Sequence, residues 1–69
     1  MSAAKTVTIN GLPRQTTAES VADLARELDR APQTLLIERN RLALTPSSWT
    51  TEPVVEGDSY QVLKISAGG

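Results

Sequence analysis

Asn10-Gly11 dictates what the start of this chain can fold into. The pair follows Thr6-Val7-Thr8-Ile9, a β-branched run in which polar and apolar residues alternate, the pattern of a strand with one buried face. A type I′ turn needs positive φ at both central positions, and Asn-Gly meets that need at little cost. The chain therefore turns straight back into a second strand, from about Leu12 to Gln15. Pro13 has no amide to give to a ladder, which puts this strand at a sheet edge. Val7 and Ile9 share the face that has to be covered, and Thr6 and Thr8 share the other.

A helix is the expected cover. Thr16-Thr17-Ala18-Glu19 fits a capping box, with Thr16 and Glu19 exchanging hydrogen bonds across the first turn. The helix then runs from about Thr17 to Asp29, and Val21, Leu24, Ala25 and Leu28 form one apolar stripe. Glu19, Asp23, Arg26, Glu27 and Arg30 read as a solvated face, with Arg30 near the negative end of the helix dipole. Pro32 stops the helix. Thr34-Leu35-Leu36-Ile37-Glu38 is apolar without alternation, which predicts a central or covered strand. Arg39-Asn40 is the expected turn, and Arg41 to Leu44 the short return strand. Arg39 and Arg41 would form a small positive patch beside Glu38, read as loop decoration. Pro46-Ser47-Ser48-Trp49 suggests one loop of 3₁₀ helix, with Trp49 closing the end of the core and its indole N–H at the rim.

Glu56-Gly57-Asp58 is a tight turn into the last strand, Ser59 to Ile65. Alternation puts Tyr60, Val62 and Lys64 on one face and Gln61, Leu63 and Ile65 on the other. Tyr60 and Val62 are the expected partners of Val7 and Ile9. Leu63 and Ile65 are then left as an exposed apolar patch, a common mark of a partner site. The order strand, strand, helix, strand, short strand, turn, strand predicts an α+β domain of two layers, with the first and last strands free to pair in parallel.

The chain has 69 residues, no cysteine and no histidine. That length makes one domain, residues 1–69. Without those two residue types there is no disulfide, no soft metal site, and neither the usual general base nor the usual pH switch. An enzyme in its own right is therefore not expected, nor is a bound metal or cofactor. A net charge of −1 and a pI near 5.2 offer no basic face for nucleic acid. No apolar run could span a membrane and the N-terminal residues do not read as a secretory signal, so a cytoplasmic protein is expected.

Ile65-Ser66-Ala67-Gly68-Gly69 closes the sequence. Side chains shrink along it, and a glycine pair can thread a narrow channel. A bare Gly68-Gly69 pair is also what a merely frayed chain end looks like; following directly on an apolar strand, residues 66–69 read as a flexible tail that presents the Gly69 carboxylate to an enzyme able to activate it as an acyl adenylate.

Taken together, the short first hairpin, Ser20-Val21-Ala22-Asp23-Leu24, Leu35-Leu36-Ile37 with Asn40, Pro46 followed by Trp49, Glu56-Gly57-Asp58 and the terminal Ala67-Gly68-Gly69 resemble the ThiS family of ubiquitin-like sulfur carriers. The resemblance runs from about Val7 to Gly69, and departs from the family in a longer turn around Asn40. It implies a β-grasp fold with a mixed sheet of four or five strands and one main helix. It also implies that an E1-like adenylyltransferase of the ThiF/MoeB type uses ATP to adenylate Gly69. A thiocarboxylate then forms there, and a synthase such as thiazole synthase takes the sulfur for thiamin biosynthesis. Gly68 would share the sulfur-carrying end, and Leu63, Ile65, Ser66 and Ala67 would meet partners. Carriers of this kind also serve molybdopterin, cysteine and secondary-metabolite pathways, and a ubiquitin-like modifier would use the same terminus for isopeptide bonds.

Overall fold

The computed structural model describes residues 3–65; the expected tail, Ser66 to Gly69, lies outside them. Among the described residues are strands β1 (Lys5–Ile9) and β2 (Leu12–Thr16), helix α1 (Val21–Leu28), strands β3 (Leu35–Arg39) and β4 (Leu42–Leu44), and strand β5 (Ser59–Lys64). Short 3₁₀ turns lie at Pro32–Thr34 and Pro46–Ser48. The strands form one sheet in the order β2-β1-β5-β3-β4. β1 and β5 run parallel, and the other neighbours are antiparallel. One helix packed across a mixed five-stranded sheet, with first and last strands parallel inside it, is the β-grasp arrangement.

The first hairpin forms as its sequence demands. Asn10 and Gly11 sit at φ 51° and 84°, and β2, with Pro13, is the edge strand. The second hairpin turns one residue later than expected. Asn40 and Arg41, at φ 50° and 74°, form a two-residue turn, so Arg39 ends β3 and β4 begins at Leu42. The turn around Asn40 is therefore tight, and a non-glycine residue, Arg41, sits in left-handed backbone.

Helix α1 starts four residues after the expected Thr17. Ser20 is its N-cap and accepts a hydrogen bond from the Asp23 amide at 3.2 Å. Thr16 instead ends β2; its hydroxyl accepts from the Ala18 amide at 3.0 Å and donates to Glu27 at 2.7 Å. The physical reason lies in the later loop. Amides at the start of a helix need partners outside it. Val21 donates to the Glu52 carbonyl at 2.9 Å and Ala22 to the Trp49 carbonyl at 3.1 Å. Glu19 stays outside the helix, where its carbonyl accepts from Val54 at 2.9 Å. The loop from Trp49 to Val54 caps the helix that the local motif was expected to cap.

The core joins Val21, Leu24 and Ala25 of α1 to Val7, Leu35, Ile37 and Tyr60 of the sheet, with Trp49 and Val54 closing one end. Ile9, Leu28, Leu44 and Val62 pack around it, partly buried. Trp49 is buried, and its indole N–H donates to the Leu44 carbonyl at 3.3 Å. Arg39, expected as loop decoration, turns toward the helix side instead. It pairs with Glu52 and donates to the Pro53 carbonyl at 3.1 Å, tying β3 to the capping loop.

Two outcomes test this core. Leu24 is fully buried, so Leu24→Ala should lower the unfolding free energy by about 2–5 kcal/mol, read from urea midpoints. Tyr60 is fully buried with its hydroxyl on Asp58 at 3.0 Å. Burial first, then Asp58, pushes its pKa up from 10.0 to about 12. The native state thus holds that proton more tightly than the unfolded chain, and the resulting stability is complete below pH 10.0 and lost as pH climbs toward about 12. Wild type should lose stability across that window more steeply than Tyr60→Phe.

Candidate functional site

The site is built on the C-terminal end of β5, because that strand leads to the tail. Even-numbered residues of β5 point their side chains toward α1: Tyr60 is fully buried and Val62 partly so. Lys64 continues the series and meets Asp29, the residue that caps the helix C-terminus, with its ammonium 2.9 and 3.1 Å from the two carboxylate oxygens. The Asp29 carboxyl lies below the usual carboxylate range. The Ala31 amide is the larger cause and Lys64 the next. On the other edge, the Ile65 amide donates to the Thr34 carbonyl at 2.6 Å.

Odd-numbered residues point the opposite way, onto the face that no helix covers. Leu63 is 66% exposed and Ile65 45%, where alternation was expected to put them. Leu36 joins them. It lies directly opposite Leu63 in the β3–β5 register and is 53% exposed; side chains in such pairs touch across the strands. Glu38 and Gln61, the next pair, complete a shallow depression with the two leucines. β3 was expected to be central or covered, and the sheet order makes it central. The strand is internal, so its ladder is paired on both edges, but α1 covers the Leu35 and Ile37 face alone. Leu36 was legible only once the register of β3 was fixed, since three apolar residues in a row carry no alternation.

The open face carries little charge. Alternation and pairing put Thr6, Thr8, Pro13, Gln15, Leu36, Glu38, Ala43, Ser59, Gln61 and Leu63 on it, and Glu38 is the ionisable one among them. The expected site residues thus divide in two: Leu63 and Ile65 lie together on an apolar patch, while Ser66, Ala67, Gly68 and Gly69 fall outside the described residues. Among the described residues no group of three carboxylates, histidines or cysteines is placed to hold a metal. Among the described residues no helix is long and apolar enough to cross a membrane.

The family model for the ThiS family matches residues 7–69. The chain belongs to the ThiS family. A solved relative by structure is the thiamine biosynthesis protein ThiS from Geobacter metallireducens. It superposes with a TM-score of 0.75 at 28% identity, over 93% of this chain and 99% of that one. No curated protein matches the chain closely enough to count as a relative. Family and neighbour together support a sulfur-carrier role for this member, in a family of small carrier proteins that work with sulfur-transfer enzymes.

The patch makes its own prediction about folding. Leu63 lies on the open face, so Leu63→Asp should shift the urea midpoint by the equivalent of only about 0.5 kcal/mol. A loss comparable to that of Leu24→Ala would return Leu63 to the core.

Proposed function

We propose that this ThiS-family chain carries sulfur as a thiocarboxylate on Gly69. The observation that carries the reading is the family match, which covers residues 7–69 and so includes Gly69. The Gly69 carboxylate attacks the α-phosphorus of ATP on an E1-like adenylyltransferase of the ThiF/MoeB type, forming an acyl adenylate and releasing pyrophosphate. A persulfide sulfur from a sulfur-delivering partner then attacks the acyl carbon and displaces AMP. A thiol of that partner cleaves the resulting S–S bond, taking up its other sulfur in a disulfide, and the thiocarboxylate remains. Thiazole synthase is the proposed acceptor, since the similar Geobacter protein is a thiamine biosynthesis protein.

The chain's own contribution is recognition and reach. As in other group carriers, the protein binds and orients while the transferred group does the chemistry. Leu36, Leu63 and Ile65 are the proposed contact for the adenylyltransferase, and a chain of four residues, the number between Ile65 and the end of Gly69, can span at most about 3.3–3.6 Å per residue. A buried leucine at the centre of such an interface contributes about 2 kcal/mol or more, so Leu63→Asp should weaken binding roughly thirty-fold.

Intact-mass spectrometry tests the chemistry. After incubation with the adenylyltransferase, ATP and a sulfur source, wild type should gain the mass difference of sulfur for oxygen, and deletion of Gly69 should abolish the gain. Gly68→Val should block it by bulk without unfolding the domain. Isopeptide conjugates in place of that gain would make the chain a modifier, and a gain that survives Gly69 deletion would put the sulfur elsewhere.

A further inference from the structure

We propose that Asn10 is a positioning residue for the tail, an inference that rests on reading Gly69 as the reacting residue. Its side-chain amide stands in for a missing strand and holds β5 straight beyond the point where β1 stops. The end of β5, up to Ile65, is thereby held in place.

The need arises from the register. β1 pairs with β5 only at Thr8 with Ser59 and Ile9 with Tyr60. The Thr8 and Asn10 amides donate to the Asp58 and Tyr60 carbonyls, each at 2.9 Å. β1 then turns away into β2, and Val62 faces the place where the next strand residue would stand. The Asn10 side chain fills that place. Its Oδ1 accepts from the Val62 amide at 2.8 Å, and its Nδ2 donates to the Val62 carbonyl at 3.1 Å. A primary amide offers one acceptor and one donor side by side, as a backbone residue in a ladder does. Aspartate would present oxygen to the carbonyl, and glutamine is one methylene too long. The left-handed φ of 51° is one that asparagine tolerates.

Past Val62 the remaining tethers are one-sided. β3 holds Leu63 and Lys64, and Thr34 holds Ile65. The Lys64–Asp29 pair is more than half exposed on its lysine side, and pairs of that kind contribute little. Val62 is thus the last point at which this strand is held on both edges. An end held along one edge frays more readily. A partner that binds only the straight form then meets a smaller competent fraction, and its apparent affinity falls in proportion.

The fold supplies its own control. Asn40 has nearly the same φ, 50°. It braces Ser59 with one side-chain bond and one main-chain bond: its Oδ1 accepts from the Ser59 amide at 3.1 Å, and its backbone N–H donates to the Ser59 carbonyl at 2.8 Å. It braces β5 at the end away from the tail.

The test compares Asn10→Gly with Asn40→Gly in the full chain. Three quantities are measured: urea stability, hydrogen exchange at the Ile65 amide, and ATP–pyrophosphate exchange by the source organism's ThiF/MoeB-type enzyme. Asn10→Gly removes two side-chain bonds to β5 and Asn40→Gly one, so the urea midpoints set how much of any KM change is due to global destabilisation. Asn10→Gly should raise KM for the carrier by about tenfold with kcat little changed, and should speed exchange at Ile65. Asn40→Gly should leave both near wild type. Equal KM increases in the two variants would reduce Asn10 to a structural residue, and an unchanged KM or unchanged Ile65 exchange in Asn10→Gly would overturn the proposal. Should Asn10→Gly fail to fold, Asn10→Asp keeps the turn and the acceptor for Val62 but lacks the donor. An intermediate KM supports the proposal and a wild-type KM overturns it. Failure of the wild-type chain to support pyrophosphate exchange would sink the reading of Gly69 instead, and Ile65 exchange would then decide the role of Asn10 alone.

Discussion

A strand inside a sheet needs partners for its amides and carbonyls along both edges, and where a helix covers it water cannot provide them. β5 is under that constraint, and much of the fold follows from meeting it. Its partner on one side, β3, lies nearby in sequence and pairs through Leu35 to Arg39. Its partner on the other, β1, lies some fifty residues upstream and runs parallel, and parallel neighbours require a crossover. The hairpin, the helix and the second hairpin are all threaded between them. Asn10 and Asn40, the two asparagines of the hairpin turns, finish the pairing where the strands run out.

The same constraint explains why Asp58 and Tyr60 are placed as they are. Asp58 is buried at the mouth of β5, where its carboxylate accepts from the Val55 amide and from the Tyr60 hydroxyl, each at 3.0 Å. It closes the Gly57 turn and satisfies the one polar atom that Tyr60 carries into the core. A fully buried tyrosine without that acceptor would leave its hydroxyl unpaired, at a cost of about 1–3 kcal/mol. No buried side-chain nitrogen or oxygen among the described residues lacks a partner. In a domain this small, with two aromatic residues in all, there is little apolar burial with which to offset such a loss.

The features legible in the sequence were those set by neighbours along the chain. Thr6 to Ile9 with Asn10-Gly11 specified the first hairpin, and Val21, Leu24 and Ala25 specified the buried stripe of the helix. The period of two in Ser59 to Ile65 separated Tyr60 and Val62 from Leu63 and Ile65. Misreadings came where a distant segment took over a local role. Thr16 and Glu19 match a capping box, but Glu52 and Trp49 supply the carbonyls that the helix amides use. Arg39 sits at a turn and looks like decoration, but Glu52 draws it to the helix side. Leu36 had no alternation to reveal its face, and only pairing with Leu63 places it.

The distribution of charge bears on why a carrier of this kind would use its open face. Arg14–Glu27, Arg26–Asp23, Arg39–Glu52 and Lys64–Asp29 all lie on the helix side of the sheet. Any partner docking there would have to strip water from paired charges, and that penalty can exceed what the pairs return. The opposite face has leucines at its centre, threonine, serine, proline and glutamine around them, and Glu38 as its ionisable group. Depletion of charge at the centre is what distinguishes interface cores from ordinary surface. With the ion pairs on one side of the sheet and the leucines on the other, a partner on the open face beside the end of β5 would leave those contacts undisturbed. Glu38, at the margin of the leucine pair, is then the charge through which a partner with a matching cation could fix the register of docking.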